Sequence, residues 1–294
     1  MSDTTAIEWT DATFNPWWGC TKVGPGCDNC YAEGVAKVYQ HGRVLWGAGA
    51  ERRVFGEKHW NEPLAWDARA AREGRRIKVF CASMADVFDR DAPPGLRSRL
   101  WKLMVSTPNL DWQLLTKRIG NVMKAIPPAW WISHWPSNVW LGATVCNQEE
   151  AERDVPKLID VRGNVPVRFL SIEPMLGPIR LHPSWLHSAG VSWVIAGGES
   201  GPRARPMHPL WVSALRDQCE AADVPFLFKQ WGEWTGRVDG AEPRQPGTYM
   251  NIAGRTVTEE EALTSGGAWK GMWKLGKKRT GRELDGRTYD GFPR

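Results

Sequence analysis

Six short apolar runs recur along the chain, each ending in polar residues, and most are followed by a helical pattern. They are Lys78 to Ser83, Trp112 to Thr116, Val139 to Val145, Val167 to Ile172, Val191 to Ala196 and Phe226 to Gln230. Runs that are apolar throughout read as parallel strands buried on both faces. Their starts lie 34, 27, 28, 24 and 35 residues apart, the length of a strand, a crossover helix and two loops. The rhythm predicts an α/β fold of the TIM-like βα barrel kind. Pro94-Gly95 opens a helix over Leu96 to Val105, Asn147 caps one over Gln148 to Ile159, and Pro209 starts one over Leu210 to Ala222. Between the fourth and fifth runs only a short helix around Ser184-Trp185-Leu186 fits. A further strand near Phe14 to Gly19 brings the number to seven, so the barrel is expected to be partial.

At 294 residues the chain is long enough for one barrel-sized core and a small appendage. The rhythm stops after Trp234, which divides the chain into a barrel over 1–234 and a small basic C-terminal cap over 235–294. Leu275 to Arg287 reads as a hairpin joined through loops. From Gly267 to Arg294 there are eight Lys/Arg and three acids, so the tail alone, at 8 − 3 = +5, equals the formal net charge of the chain. No apolar stretch approaches the roughly 18 residues of a membrane span, and Met1 to Thr5 lacks the basic and apolar regions of a signal peptide. The expectation is a soluble, cytoplasmic protein without membrane contact.

Three of the six cysteines fall in one loop, Cys20, Cys27 and Cys30, where Gly19, Gly24, Pro25 and Gly26 let the backbone curl and the sulfurs converge. In a reducing compartment such clustering points to metal or redox chemistry, and six cysteines are too sparse for a disulfide scaffold. Three readings stay open: an iron-sulfur cluster with one iron left free for a ligand, zinc with a fourth ligand such as His41 or Cys81, and no metal.

Functional groups of βα barrels gather at the C-terminal ends of the strands. There this chain carries Ser83, Asp86 and Asp89; Thr116, Lys117 and Arg118; Thr144, Cys146 and Asn147; Ser171 and Glu173; Gly197, Gly198, Glu199 and Ser200; and Lys229 and Gln230. Gly197 to Gly201 would let backbone N–H groups approach an anionic or zwitterionic ligand. A third glycine and a following helix are not where the dinucleotide fingerprint needs them.

Cys20-x6-Cys27-x2-Cys30 followed by Tyr31-Ala32, Ser83 to Asp89, Leu114 to Arg118, Ile172 to Pro174 and Gly197 to Pro202 together resemble a phage-associated family of three-cysteine, radical-SAM-like proteins. The resemblance runs over nearly the whole chain. The cysteine loop and strand ends are also distantly similar to spore photoproduct lyase. Six residues separate the first two cysteines, where the usual radical SAM spacing has three. The resemblance implies a radical SAM type of barrel with a [4Fe-4S] cluster on Cys20, Cys27 and Cys30, chelated by S-adenosylmethionine. Reductive cleavage would yield a 5′-deoxyadenosyl radical that abstracts hydrogen from the substrate. It further implies an electron donor such as flavodoxin or ferredoxin, with a partner protein as another candidate. Cofactor contacts would fall to Ser83, Lys117 or Arg118, Glu173, Gly197, Gly198 and Glu199, and Cys146 would be a hydrogen donor to a substrate radical. Salt bridges at the rim and plain packing are the competing roles for these residues.

Nineteen tryptophans and the basic tail suggest a nucleic-acid or nucleotide substrate. It would be held by Lys277, Lys278, Arg279, Arg282 and Arg287, with bases stacked on aromatic planes. About a quarter of the tryptophans are expected to be exposed, since tryptophan is first a core residue. Trp130, Trp131 and Trp135 would make either a stacking platform or a barrel cover. Two other readings compete with a radical SAM enzyme: a metal-stabilised nucleic-acid-binding module without catalysis, and a barrel that uses its cluster only for electron transfer.

Overall fold

The computed structural model describes residues 5–39, 42–236 and 245–293. The strands are β1 (Ala12–Thr13), β2 (Trp17–Trp18), β3 (Arg53–Val54), β4 (Ile77–Cys81), β5 (Leu110–Thr116), β6 (Val139–Thr144), β7 (Arg168–Ile172), β8 (Trp193–Gly197), β9 (Phe226–Gln230), β10 (Trp234–Thr235), β11 (Thr248–Met250), β12 (Thr256–Val257) and β13 (Lys270–Lys274). The helices are α1 (Tyr31–Tyr39), α2 (Glu57–Trp60), α3 (Glu62–Glu73), α4 (Leu96–Val105), α5 (Val122–Ala125), α6 (Pro128–Ile132), α7 (Gln148–Ile159), α8 (Pro209–Ala221), α9 (Glu259–Thr264) and α10 (Lys277–Thr280). Seven strands form one sheet in the order β1-β4-β5-β6-β7-β8-β9. The β1–β4, β4–β5, β5–β6 and β8–β9 pairings are parallel. This is a mixed α/β fold, compatible with a partial barrel. No helix among the described residues is long and apolar enough to cross a membrane.

The chain divides into two compact units, one of residues 1–144 and 156–169, the other of 145–155 and 170–294. In the first unit Trp9 packs against Phe80 of β4 and Phe169 of β7, with ring centroids 4.5 and 6.3 Å away. Gln113 of β5 donates to the Trp9 carbonyl at 3.1 Å. Gly142 of β6 leaves the room Phe169 occupies, since a Cβ there would stand 2.4 Å from the ring. Another aromatic group joins Phe14, His59, Trp60 and Trp112.

The strand expected at Phe14 to Gly19 is split. Phe14 N–H makes a ladder bond to Phe80 O at 3.0 Å, and Pro16 then has no N–H to offer. Two residues earlier, β1 pairs with β4, while β2 leaves the main sheet and pairs antiparallel with β3.

In the second unit α8 begins at Pro209, and the buried His208 caps it, its Nδ1 accepting from Leu210 N–H at 3.2 Å. A second sheet has the order β10-β13-β11-β12. The tail read as a hairpin joined through loops holds a helical turn and one short antiparallel bridge. Lys277–Thr280 is a turn of helix, and Leu284 and Arg287 face each other across only Asp285-Gly286. Residues 289–291 then run along β9: Phe228 N–H bonds Tyr289 O and Gly291 N–H bonds Phe226 O, both at 3.0 Å. An otherwise open strand edge is thereby covered.

Burial, with Lys270 adding to it, lowers the pKa of His208. A His depressed in the folded state stabilises when neutral, so its contribution is complete above the unfolded value near 6.5 and fades as pH falls below it. Thermal melts from pH 8 to 5 should therefore show a loss of stability that His208→Asn, which keeps a cap, removes. His208→Ala should cost about 1 kcal/mol at pH 8. Superimposable pH profiles for wild type and His208→Asn would count against this role.

Candidate functional site

The cysteine loop belongs to the first unit and is fastened to the segments that follow β4 and β5. Gly19 N–H donates to Met84 O at 3.0 Å, and Cys20 O accepts from Gly47 N–H at 3.0 Å. Position 19 must be glycine: φ is 113°, and a Cβ would lie 2.4 Å from Leu45 O. Cys27 is buried and ends a 3-10 turn, Pro25–Cys27. Cys30 immediately precedes α1, accepts from Gly34 N–H, and packs with Trp18 and Trp46 against Ala32, Ala36, Leu45 and Met84.

Behind Cys20 lies a buried ionic frame. Arg118 Nη1 donates to Cys20 Sγ at 3.5 Å and to Asp86 Oδ2 at 3.0 Å, and Nη2 donates to Thr21 O. Asp86 also accepts from Thr116 Oγ1 at 2.8 Å, Phe88 N–H at 2.9 Å and Lys117 N–H at 3.1 Å. Arg52 bonds Asp89 at 3.2 Å, Thr21 Oγ1 at 2.9 Å and the carbonyls of Leu45, Gly47 and Ala50. Burial pushes the Cys20 thiol up to about 12, Asp86 adds to the rise, and Arg118 opposes it.

Among the described residues no group of three or more His, Cys, Asp or Glu stands assembled to hold a metal ion. The donor set nevertheless suits a sulfur-bound centre: three thiols on one glycine-rich loop, one of them already facing a fixed guanidinium. Cys20, Cys27 and Cys30 would be the ligands. Of the alternative zinc ligands, Cys81 lies fully buried in β4 with its thiol raised by burial, and His41 falls outside the described residues.

The other strand-end residues have protein partners. Ser83 Oγ accepts from Asn15 Nδ2 at 3.0 Å, and Ser83 O accepts from Tyr31 OH at 2.8 Å. Lys117 is half-buried, and Arg118 is directed at Cys20 and Asp86. In the second unit Glu173 accepts from Ser171 Oγ at 3.3 Å and pairs with Lys229 at 3.1 Å. Glu199 is buried, and Arg205 grips both of its oxygens, at 2.7 and 2.9 Å. Gly198 is needed because a Cβ would meet Trp231 O at 1.8 Å, and at Gly197 one would stand 2.8 Å from Glu173 Oε1. The close approach expected of a ligand is made by the protein's own chain. Cys146 is fully buried, its N–H bonded to Glu150 at 2.8 Å, and Cys219 is buried in α8 with its thiol pushed up to about 12.

Arg282 pairs with Asp290, and Arg287 pairs with Glu220 at 2.7 Å and lies over Tyr289 at 4.4 Å. Lys277, Lys278 and Arg279 are exposed on α10, and Arg294 lies outside the described residues. None of the nineteen tryptophans is exposed; all are buried or half-buried, against the expected quarter. Trp130 and Trp135 are buried and stacked edge-on at 5.3 Å, with Arg162 over the half-buried Trp131 at 5.8 Å, which makes this group a packing layer.

The family model described as "Protein of unknown function (DUF5131)" matches residues 4–293. No curated protein and no solved structure matches the chain.

Proposed function

We propose that this chain, which belongs to that family, is a radical SAM enzyme carrying a [4Fe-4S] cluster on Cys20, Cys27 and Cys30 and acting on a nucleic acid or nucleotide. The observation that supports it most is where the thiol loop is tied: Gly19 to Met84, just after β4, and Cys20 to Arg118, just after β5. That is the strand end at which βα folds gather their chemistry. When bound, such a cluster supplies one-electron reductive cleavage of S-adenosylmethionine, and the protein must hold, orient and shield. Thiolates of the loop would hold the iron, and the Asp86, Asp89, Arg52 and Arg118 frame would keep Cys20 in position. Lys277, Lys278 and Arg279 would face phosphates. Electrons would come from a low-potential donor such as flavodoxin or ferredoxin.

A non-catalytic, metal-stabilised nucleic-acid-binding module is the second reading. It is favoured by the protein partners already satisfying Ser83, Glu199 and Arg118.

Reduced, cluster-loaded protein incubated with S-adenosylmethionine should release 5′-deoxyadenosine, and anisotropy should detect oligonucleotide binding that weakens steeply with salt. Lys277/Lys278/Arg279→Ala should flatten the log–log salt slope by about 2. A full cluster without nucleoside release refutes the enzyme reading. Identical salt curves for the two proteins remove α10 from substrate binding.

A further inference from the structure

We propose that Arg118 is a positioning residue that raises the reduction potential of a cluster held by the cysteine loop, by donating to Cys20 Sγ. This rests on the cluster assignment above.

The guanidinium is nearly enclosed, with its side chain 7% exposed, and it is held on two sides. Nη1 is shared between Cys20 Sγ and Asp86, Nη2 reaches Thr21 O, and Asp89 lies 3.8 Å from Nη2. Asp86 is itself fixed by the Thr116 hydroxyl and two backbone N–H groups, so the fork cannot swing from the sulfur without breaking that set. Arg52 and Arg118 balance Asp86 and Asp89 in charge, and of these four it is Arg118 that donates to the sulfur. A donor and a positive charge at a ligating sulfur stabilise the reduced, more negative cluster, as hydrogen bonds to cluster sulfurs do generally. Replacing Arg118 by a neutral side chain removes that charge and also leaves Asp86 uncompensated nearby. Both changes act in the same direction.

The affected step is a one-electron reduction, [4Fe-4S]2+ to [4Fe-4S]+, with dithionite as donor and no bond made or broken at Cys20. Arg118→Gln should keep its iron and sulfide content while the reduced-to-oxidised ratio at a fixed potential falls about tenfold, equivalent to about 59 mV for one electron. Arg118→Lys, retaining charge and one donor, should recover most of the difference. Because Arg118→Gln disturbs a buried frame, the wild type supplies a second test. Full-length protein labelled with 15N in the arginine guanidinium groups should show a 15N hyperfine coupling in the pulsed EPR spectrum of the reduced cluster, replaced by a 14N coupling when the arginine is unlabelled. An unmoved midpoint in cluster-replete Arg118→Gln, or no coupling in wild type, overturns the inference and leaves the cluster assignment standing. Wild type that takes up no cluster overturns both.

Discussion

Anaerobic reconstitution is expected to load about four irons and four sulfides per chain, and Cys27→Ala to abolish that loading. Cys27 sits on a 3-10 turn and Cys30 immediately precedes α1, so two sulfurs come from one short stretch of backbone, while Cys20 comes from the opposite limb of the loop. Removing any of the three leaves two ligands, too few to retain a cluster. Wild type should absorb broadly at the blue end of the visible range and bleach with dithionite. Cys81→Ala, Cys146→Ala and Cys219→Ala are the controls, because all three cysteines are buried in the packing of β4, the segment after β6, and α8. These variants should load as wild type does. Stoichiometric zinc in anaerobically purified wild type, with no cluster uptake on reconstitution, would replace the iron-sulfur assignment. Loss of zinc from Cys81→Ala would then identify the fourth ligand.

Asp86→Ala is expected to cost about 3–5 kcal/mol, the usual consequence of removing one partner from a buried ion pair. Its carboxylate is matched by Arg118, the Thr116 hydroxyl and the backbone N–H groups of Phe88 and Lys117. Alanine would strand a guanidinium that is 7% exposed, together with buried donors that water cannot easily reach. Asp86→Asn keeps an acceptor but loses the charge, so its cost should be smaller. Urea unfolding monitored by tryptophan fluorescence would measure both, with the comparison valid if the slope m is unchanged. A loss below about 1 kcal/mol for Asp86→Ala would mean the frame is better hydrated than its burial indicates.

Periodicity is a local property, and the elements it governs were legible. Leu96–Val105 and Gln148–Ile159 fold as helices over the expected residues, with the Asn147 side chain bonding Glu150 N–H at 2.9 Å. The six apolar runs all become strands of one sheet, within two residues of the expected starts, because continuous burial leaves its mark on every residue of the run. The cysteine loop stood out for the same reason: its three thiols and its glycines are neighbours in sequence. Only the tertiary structure decided the rest, since it depends on groups distant along the chain. Arg118 meets a sulfur 98 residues away, and Lys229 meets Glu173, so neither the ionic frame nor the occupation of strand-end carboxylates can be read from spacing. Gly197-Gly198 was legible as a place of close approach. That the approaching groups are the Glu173 side chain and the Trp231 carbonyl follows from how neighbouring strand ends meet. Charge in the tail was countable, but Asp290 and Glu220 determine which cations are neutralised. Composition sets how much charge and aromatic surface the chain carries; packing decides which of it faces water, because burial and pairing are relations between residues that no single stretch of sequence contains.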